Sequence, residues 1–245
     1  MKALLFAAGL GTRLRPITEN LPKALVPIKG VPLLERNIQW LIGYGYDEII
    51  INIHYLGEQI ADFLAKKNNF GIKIALSDER EKLLDTGGGM KKAAWFLKDN
   101  TPDEPFVVLN ADILTDLDLH DMRRRFDEQA PLALLAVQRR ASSRYLLFDQ
   151  NGQLRAWQNI KTGEQKMVDS QTTIDKQAFT PMAFSGLQLV SPAIFEKMPP
   201  NEVFSLIDLY LAAASNQLIR AYPHNDTRWI DVGNPQSIQQ AEVLF

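Results

Sequence analysis

Short apolar runs alternate with segments of helical period along the first 110 residues, and this alternation narrows the possible folds more than any other feature. Residues 2–8 form one such run and residues 49–53 another, the latter dense in β-branched side chains, as strands buried on both faces are. Between them, 33–43 suits a helix ending near Gly43 and Gly45. A helix near 57–67, a strand at 72–76 and a Gly87-Gly88-Gly89 turn leading into a helix over 90–98 come next. Residues 106–109 form a further strand, ending in Asn110-Ala111-Asp112. Such a series predicts an α/β fold with a mostly parallel mixed sheet flanked by helices.

Beyond residue 112 the pattern shortens. Segments 132–138, 144–149 and 153–158 read as strands, with Asn151-Gly152 as a two-residue hairpin turn. Residues 160–179 are polar and weakly periodic, which predicts a surface loop. A strand near 182–190, helices near 191–197 and 203–215, a strand near 218–222 and a helix from about 235 complete the series. There is no internal repeat and no linker rich in Pro, Gly or Ser, so the reading is one domain over 1–245.

With 46% hydrophobic and 23% charged residues, the chain has the balance of a soluble globular protein. It contains no cysteine, which excludes disulfides and thiolate metal sites. The net charge of −2 gives no electrostatic footing for nucleic acid, and Arg123-Arg124-Arg125 reads as a solvated helix face. No apolar run reaches the ~18 residues of a membrane span. Arg13 and Arg15 interrupt the first apolar run too early for a signal peptide, so the expected location is the cytoplasm.

The most informative stretch is Ala7-Ala8-Gly9-Leu10-Gly11-Thr12-Arg13-Leu14-Arg15-Pro16. Glycines directly after a buried strand let backbone N–H groups approach an anion, and Arg13 adds a guanidinium suited to phosphate oxygens. A dinucleotide fingerprint would need glycine where Leu14 stands, and no Gly-Lys-Ser/Thr triplet completes a Walker loop. Gly9 and Gly11 by themselves suit an ordinary turn equally well. Pro22-Lys23-Ala24-Leu25-Val26-Pro27 follows close behind and shifts the balance toward function.

Ala-Ala-Gly-x-Gly-Thr-Arg-Leu-x-Pro followed by Pro-Lys-x-Leu-x-Pro resembles the signature of the sugar-1-phosphate nucleotidyltransferases. The resemblance extends to Asp231 and implies a single Rossmann-like nucleotidyltransferase domain, with the sugar-binding part mainly within 113–225. It implies that Ala7, Ala8, Gly9, Gly11 and Thr12 wrap a triphosphate. Arg13 would then sit on its β and γ phosphates, with Lys23 near the α-phosphate. Asp85, Gly87 and Gly88 would lie against the nucleobase. Thr86-Gly87-Gly88-Gly89 resembles the form found in the N-acetylmuramic acid 1-phosphate uridylyltransferases, which favours UTP and a part in cell-wall recycling.

The same resemblance pairs Asp112 with Asp231 as ligands of a divalent cation, for which hard carboxylate oxygens suit Mg2+. Taken by itself, Asp112 fits a turn or cap residue as readily. Asn110, Gly186 and Asp231 are the candidates for the sugar side, although Gly186 also suits plain packing in a strand. The Glu-Lys-Pro motif by which many relatives hold the sugar is missing, and Trp157-Gln158-Asn159 occupies the comparable region. His54, His120 and His224 have no ligand spacing and predict no zinc site. Asp116 and Asp118 read as surface and capping residues.

The implied reaction joins a nucleoside triphosphate to a sugar 1-phosphate, with Arg13, Lys23 and Asp112 as the catalytic set and no general base. A mannose- or heptose-1-phosphate guanylyltransferase is the near alternative. An inactive regulatory protein that binds nucleotide sugars is the alternative of another class. No hexapeptide repeat is present, which argues against a fused acyltransferase.

Overall fold

Leu4 and Leu5 of the first strand, Lys2–Phe6, are fully buried, as are Ile49, Ile50 and Ile51 of the neighbouring Glu48–Ile53. Burying each such side chain stabilises the fold by about 2 kcal/mol, which is why these runs take the centre of the sheet. The computed structural model describes residues 1–101, 103–168 and 178–245. Among the described residues its main sheet has ten strands. Lys2–Phe6 pairs in parallel with Glu48–Ile53 on one side and Phe106–Asn110 on the other, and Lys73–Asp78 extends the parallel part. Thr180–Val190 pairs antiparallel with Phe106–Asn110 and carries the sheet into its second half.

Helices Leu33–Gly43, Gly57–Lys66, Asp85–Lys92, Leu119–Gln129, Leu206–Ala213 and Pro235–Leu244 complete the α/β architecture. The α/β fold with a mostly parallel mixed sheet is as the sequence pattern predicts. None of these helices is long and apolar enough to cross a membrane. Arg123, Arg124 and Arg125 pair with Asp121, Asp127 and Glu128 on an exposed helix face. Asp118 caps that helix by accepting from the N–H groups of His120 and Asp121.

Thr180–Val190 is long enough to change partners. Its first part pairs with Arg144–Phe148, its later part with Ala133–Gln138, and the register shifts between Phe184 and Gln188. Gly186 lies in this irregular stretch with φ +72. An added Cβ there would come within 2.9 Å of Asn110 Nδ2 and Ile113 Cγ1, so close approach as well as conformation requires glycine.

Four local expectations need correction. The glycine triplet does not precede a helix but lies within Asp85–Lys92, followed by the separate turn Ala94–Leu97. The turn before Leu154–Asn159 is a three-residue loop, Gln150 to Gly152, rather than Asn151-Gly152 alone. Gly152 N–H donates to Asp149 O, and Gly152 has φ +73, the geometry of a tight turn closed by a left-handed residue. Part of the 160–179 stretch is strand, since Gln165–Met167 pairs with Leu154–Asn159; residues 169–177 of that stretch lie outside the described residues. The helix expected near 191–197 is a 3-10 helix, Pro192–Lys197.

Neighbouring backbone explains the triplet's position. A Cβ on Gly88 would stand 2.0 Å from Glu202 O, and one on Gly87 would stand 2.3 Å from the Phe204 ring. Gly43, at the end of its helix, has open space around it. Gly88→Ala should therefore lower stability by about 3 kcal/mol, while Gly43→Ala should be near neutral. Thermal and urea unfolding of the two variants checks this contrast.

Candidate functional site

The loop after the first strand is shaped by which of its residues are buried. Leu14 is fully buried in a cluster with Val26, Ile28, Leu33, Leu114, Ile230 and Val232. Anchoring Leu14 inward leaves Arg13 exposed. Ala24 and Leu25 are buried in the same way and present Lys23 from the 3-10 turn Lys23–Leu25. Gly11 has φ +65, and its carbonyl accepts from Leu14 N at 2.9 Å and from Thr18 Oγ1 at 2.6 Å.

Among the described residues the N–H groups of Gly9, Leu10, Gly11 and Thr12 have no hydrogen-bond partner. Ala7 and Ala8 differ from what the sequence suggested. Both N–H groups donate to Asn52 Oδ1, at 2.7 and 3.3 Å, so the donors free for an anion begin at Gly9. Asn52 in turn donates to Glu79 Oε1 at 2.8 Å, and Glu79 Oε2 accepts from Leu84 N at 3.3 Å. Asn52 and Glu79 are both buried, and this chain of bonds fixes the floor of the loop.

Asp112 and Asp231 converge. Asp231 ends one strand of the two-stranded sheet Ile113–Thr115 and Trp229–Asp231, whose register sets it beside Ile113, and Asp112 immediately precedes the other strand. Ala111 N donates to Phe6 O and Val232 N to Asp112 O, while Asn37 Nδ2 donates to Ala111 O. Lys23 Nζ pairs with Asp112 and lies 3.7 Å from Asp231 Oδ1. Arg13 lies 3.9 Å from the other Asp231 oxygen.

Burial, and next the nearby charge of Asp112, push the Asp231 carboxyl above its usual range, and Lys23 and Arg13 oppose this. Asp231 Oδ1 is buried with no hydrogen-bond partner. A small cavity of about 40 Å³ opens between Gly9, Lys23, Ala111 and Asp112. An orphaned carboxylate oxygen beside a second carboxylate is a donor set that fits a hard cation.

Two larger clefts meet here. One of about 240 Å³ is lined by Ala8, Gly9, Asn52, Glu79, Asp85, Thr86, Asn110 and Asp112. Asp85 thus shares a cleft with Gly9 and Asp112. Gly87 and Gly88 do not line this cleft: their N–H groups donate to Phe204 O, and they serve the packing described above. The other cleft, about 790 Å³, is lined by Asn110, Gly186, Trp157, Phe184, Trp229 and Asp231, among others. All three sugar candidates face it, and its aromatic walls suit the apolar faces of a ring.

Sequence reasoning missed Asn37, Asn52, Glu79 and Arg140. Arg140 stacks on Trp229 in the larger cleft. For Asn52 and Glu79, near the ends of their strands, the available signal was positional, because buried polar residues need partners. His224 is a supporting group. Its Nε2 meets Ser185 Oγ at 2.7 Å and its Nδ1 meets Thr227 Oγ1 at 2.6 Å, beneath the Trp229 platform.

A nucleotidyl transferase family model matches residues 2–159. The chain belongs to that family. The UTP–glucose-1-phosphate uridylyltransferase of Synechocystis is 29% identical over 98% of this chain and 62% of its own length. The N-acetylmuramate alpha-1-phosphate uridylyltransferase of Neisseria meningitidis is 29% identical over all of this chain and 98% of its own. The chain thus spans less than two thirds of the first relative and nearly all of the second. The crystal structure of HddC from Yersinia pseudotuberculosis shares the fold, with a TM-score of 0.77 at 24% identity, covering 99% of this chain and 98% of that one.

Burial, followed by the nearby charge of Arg140, lowers the His224 pKa to about 4, so the folded protein holds it neutral. Between the unfolded value near 6.5 and about 4 the unfolded chain binds the extra proton, so stability falls as pH falls through that window. The loss should be about 3 kcal/mol. His224→Gln should flatten that part of the pH profile, as urea unfolding at several pH values will show.

Proposed function

We propose that this chain is a sugar-1-phosphate nucleotidyltransferase that uses UTP and N-acetylmuramic acid 1-phosphate, releases pyrophosphate and forms the nucleotide sugar. The observation that carries the reading is the meeting of Asp112 and Asp231 at Lys23. That meeting point lies between a loop of free N–H groups and a cleft large enough for a substituted hexose. The family membership supports the reaction class. The Thr86-Gly87-Gly88-Gly89 segment, the missing Glu-Lys-Pro motif and the Neisseria relative support the uridylyl and N-acetylmuramate assignments.

In this reading a phosphate oxygen of the sugar attacks the α-phosphorus of the nucleotide in line, as the bond to the departing pyrophosphate breaks. The nucleophile is already an anion near neutral pH, so no side chain needs to remove a proton. The barrier is repulsion between polyanions and the charge gathering on pyrophosphate. Gly9 to Thr12 offer N–H groups to the phosphates, Arg13 lies over the outer phosphates and Lys23 over the α-phosphate. The rest of the acceleration comes from holding both substrates in register.

Asp112 and Asp231 would hold a magnesium ion through their hard carboxylate oxygens. Magnesium supplies, when bound, charge neutralisation on the triphosphate and on the leaving group.

The test is pyrophosphate release across a grid of UTP, GTP and other triphosphates against several sugar 1-phosphates, with magnesium. UTP with N-acetylmuramic acid 1-phosphate should turn over fastest; a faster guanylyl reaction would replace the assignment. Asp112→Ala and Asp231→Ala should each cut turnover by roughly a thousandfold or more. Their melting temperatures should stay within a few degrees of the parent. Activity surviving in either variant removes that residue from the machinery.

A further inference from the structure

Two arginines line the large cleft, and the scheme above uses neither. Arg144 is exposed at the rim, whereas Arg140 is half-buried. The Arg140 guanidinium lies 3.8 Å from the centroid of the Trp229 ring. Its Nη2 donates to Phe184 O at 2.8 Å, and its Nε is buried without a partner. Asp231 is the carboxylate that bears on it, yet Asp231 pairs with Lys23 and Arg13. Among the described residues Arg140 has no carboxylate within ion-pair distance.

The surroundings hold this cation in place. Trp229 Nε1 donates to Ser185 O at 2.8 Å, and Ser185 Oγ meets the neutral His224 at 2.7 Å. Tyr145 OH donates to Arg140 O at 3.2 Å and accepts from Ser142 N at 2.9 Å. A guanidinium half withdrawn from water, fixed on an aromatic face and with no carboxylate in ion-pair reach gains from a negative partner. Sugar hydroxyls cannot offset a full charge. An oxyanion meeting the guanidinium edge can, because the ring face is already taken by Trp229 and the edge carries the donors.

Resting on the nucleotidyltransferase reading, we propose that Arg140 is a specificity-determining residue that binds an oxyanion of the sugar substrate in the Trp229 cleft. Two such groups exist on a sugar 1-phosphate of the proposed class, the anomeric phosphate and a carboxylate on a ring substituent. Lys23 and Arg13 already serve the phosphate end beside Asp112 and Asp231. The carboxylate is therefore the occupant that this arrangement favours.

Steady-state kinetics of the full chain and of Arg140→Gln, with N-acetylmuramic acid 1-phosphate and the neutral N-acetylglucosamine 1-phosphate, separate the two. For the acidic sugar, kcat/KM should fall roughly 10–100-fold through KM, with the neutral sugar and the KM for the triphosphate unchanged. Arg140→Lys should recover part of the loss. An equal fall for both sugars also supports an oxyanion receptor and assigns it to the phosphate. If neither sugar is affected, or if the triphosphate KM rises in step, the proposal is overturned while nucleotidyl transfer by the parent stands. Calorimetric titration of the acidic sugar 1-phosphate, with a non-hydrolysable triphosphate present, repeats the comparison without turnover. Equal affinity in parent and Arg140→Gln, or no binding to the parent, also overturns it.

Discussion

The site is organised around one ammonium group. Lys23 lies between two carboxylates that come from distant parts of the chain, and with Arg13 it offsets the repulsion between them. Leu14, Val26, Ile28, Leu33, Leu114, Ile230 and Val232 make this possible by packing the first loop against the small sheet that carries Asp231. Apolar burial supplies the free energy, and the placement of charge follows from it. The same packing leaves Asp231 with a raised carboxyl and with one oxygen that lacks a hydrogen-bond partner.

Much of this was legible in the sequence where one residue type leaves few choices. The β-branched run at 49–53 could hardly be anything but a buried strand, and Leu33–Gly43 was readable to its last residue. The first loop announced itself through Gly9, Gly11, Arg13 and Lys23, and the convergence of Asp112 with Asp231 followed from the family likeness.

What was not legible depends on contacts between residues far apart in the chain. Asn52 reads as a blemish in an isoleucine strand until Ala7 and Ala8 are seen donating to it. The glycine triplet points to a flat ligand in the sequence, but in the fold it makes room for the backbone of Glu202 and the ring of Phe204. Arg140 follows a buried strand as one of two arginines, and only Trp229, eighty-nine residues later, distinguishes it from its exposed neighbour.

Thr86 lines the smaller cleft, and its Oγ1 accepts from the N–H of Leu206, whose next neighbour, Ile207, lines the larger one. With Gly87 and Gly88 also bonded to Phe204 O, the helices Asp85–Lys92 and Leu206–Ala213 are joined where the two clefts are walled. The two clefts thus share one hydrogen-bonded seam instead of standing on independent walls.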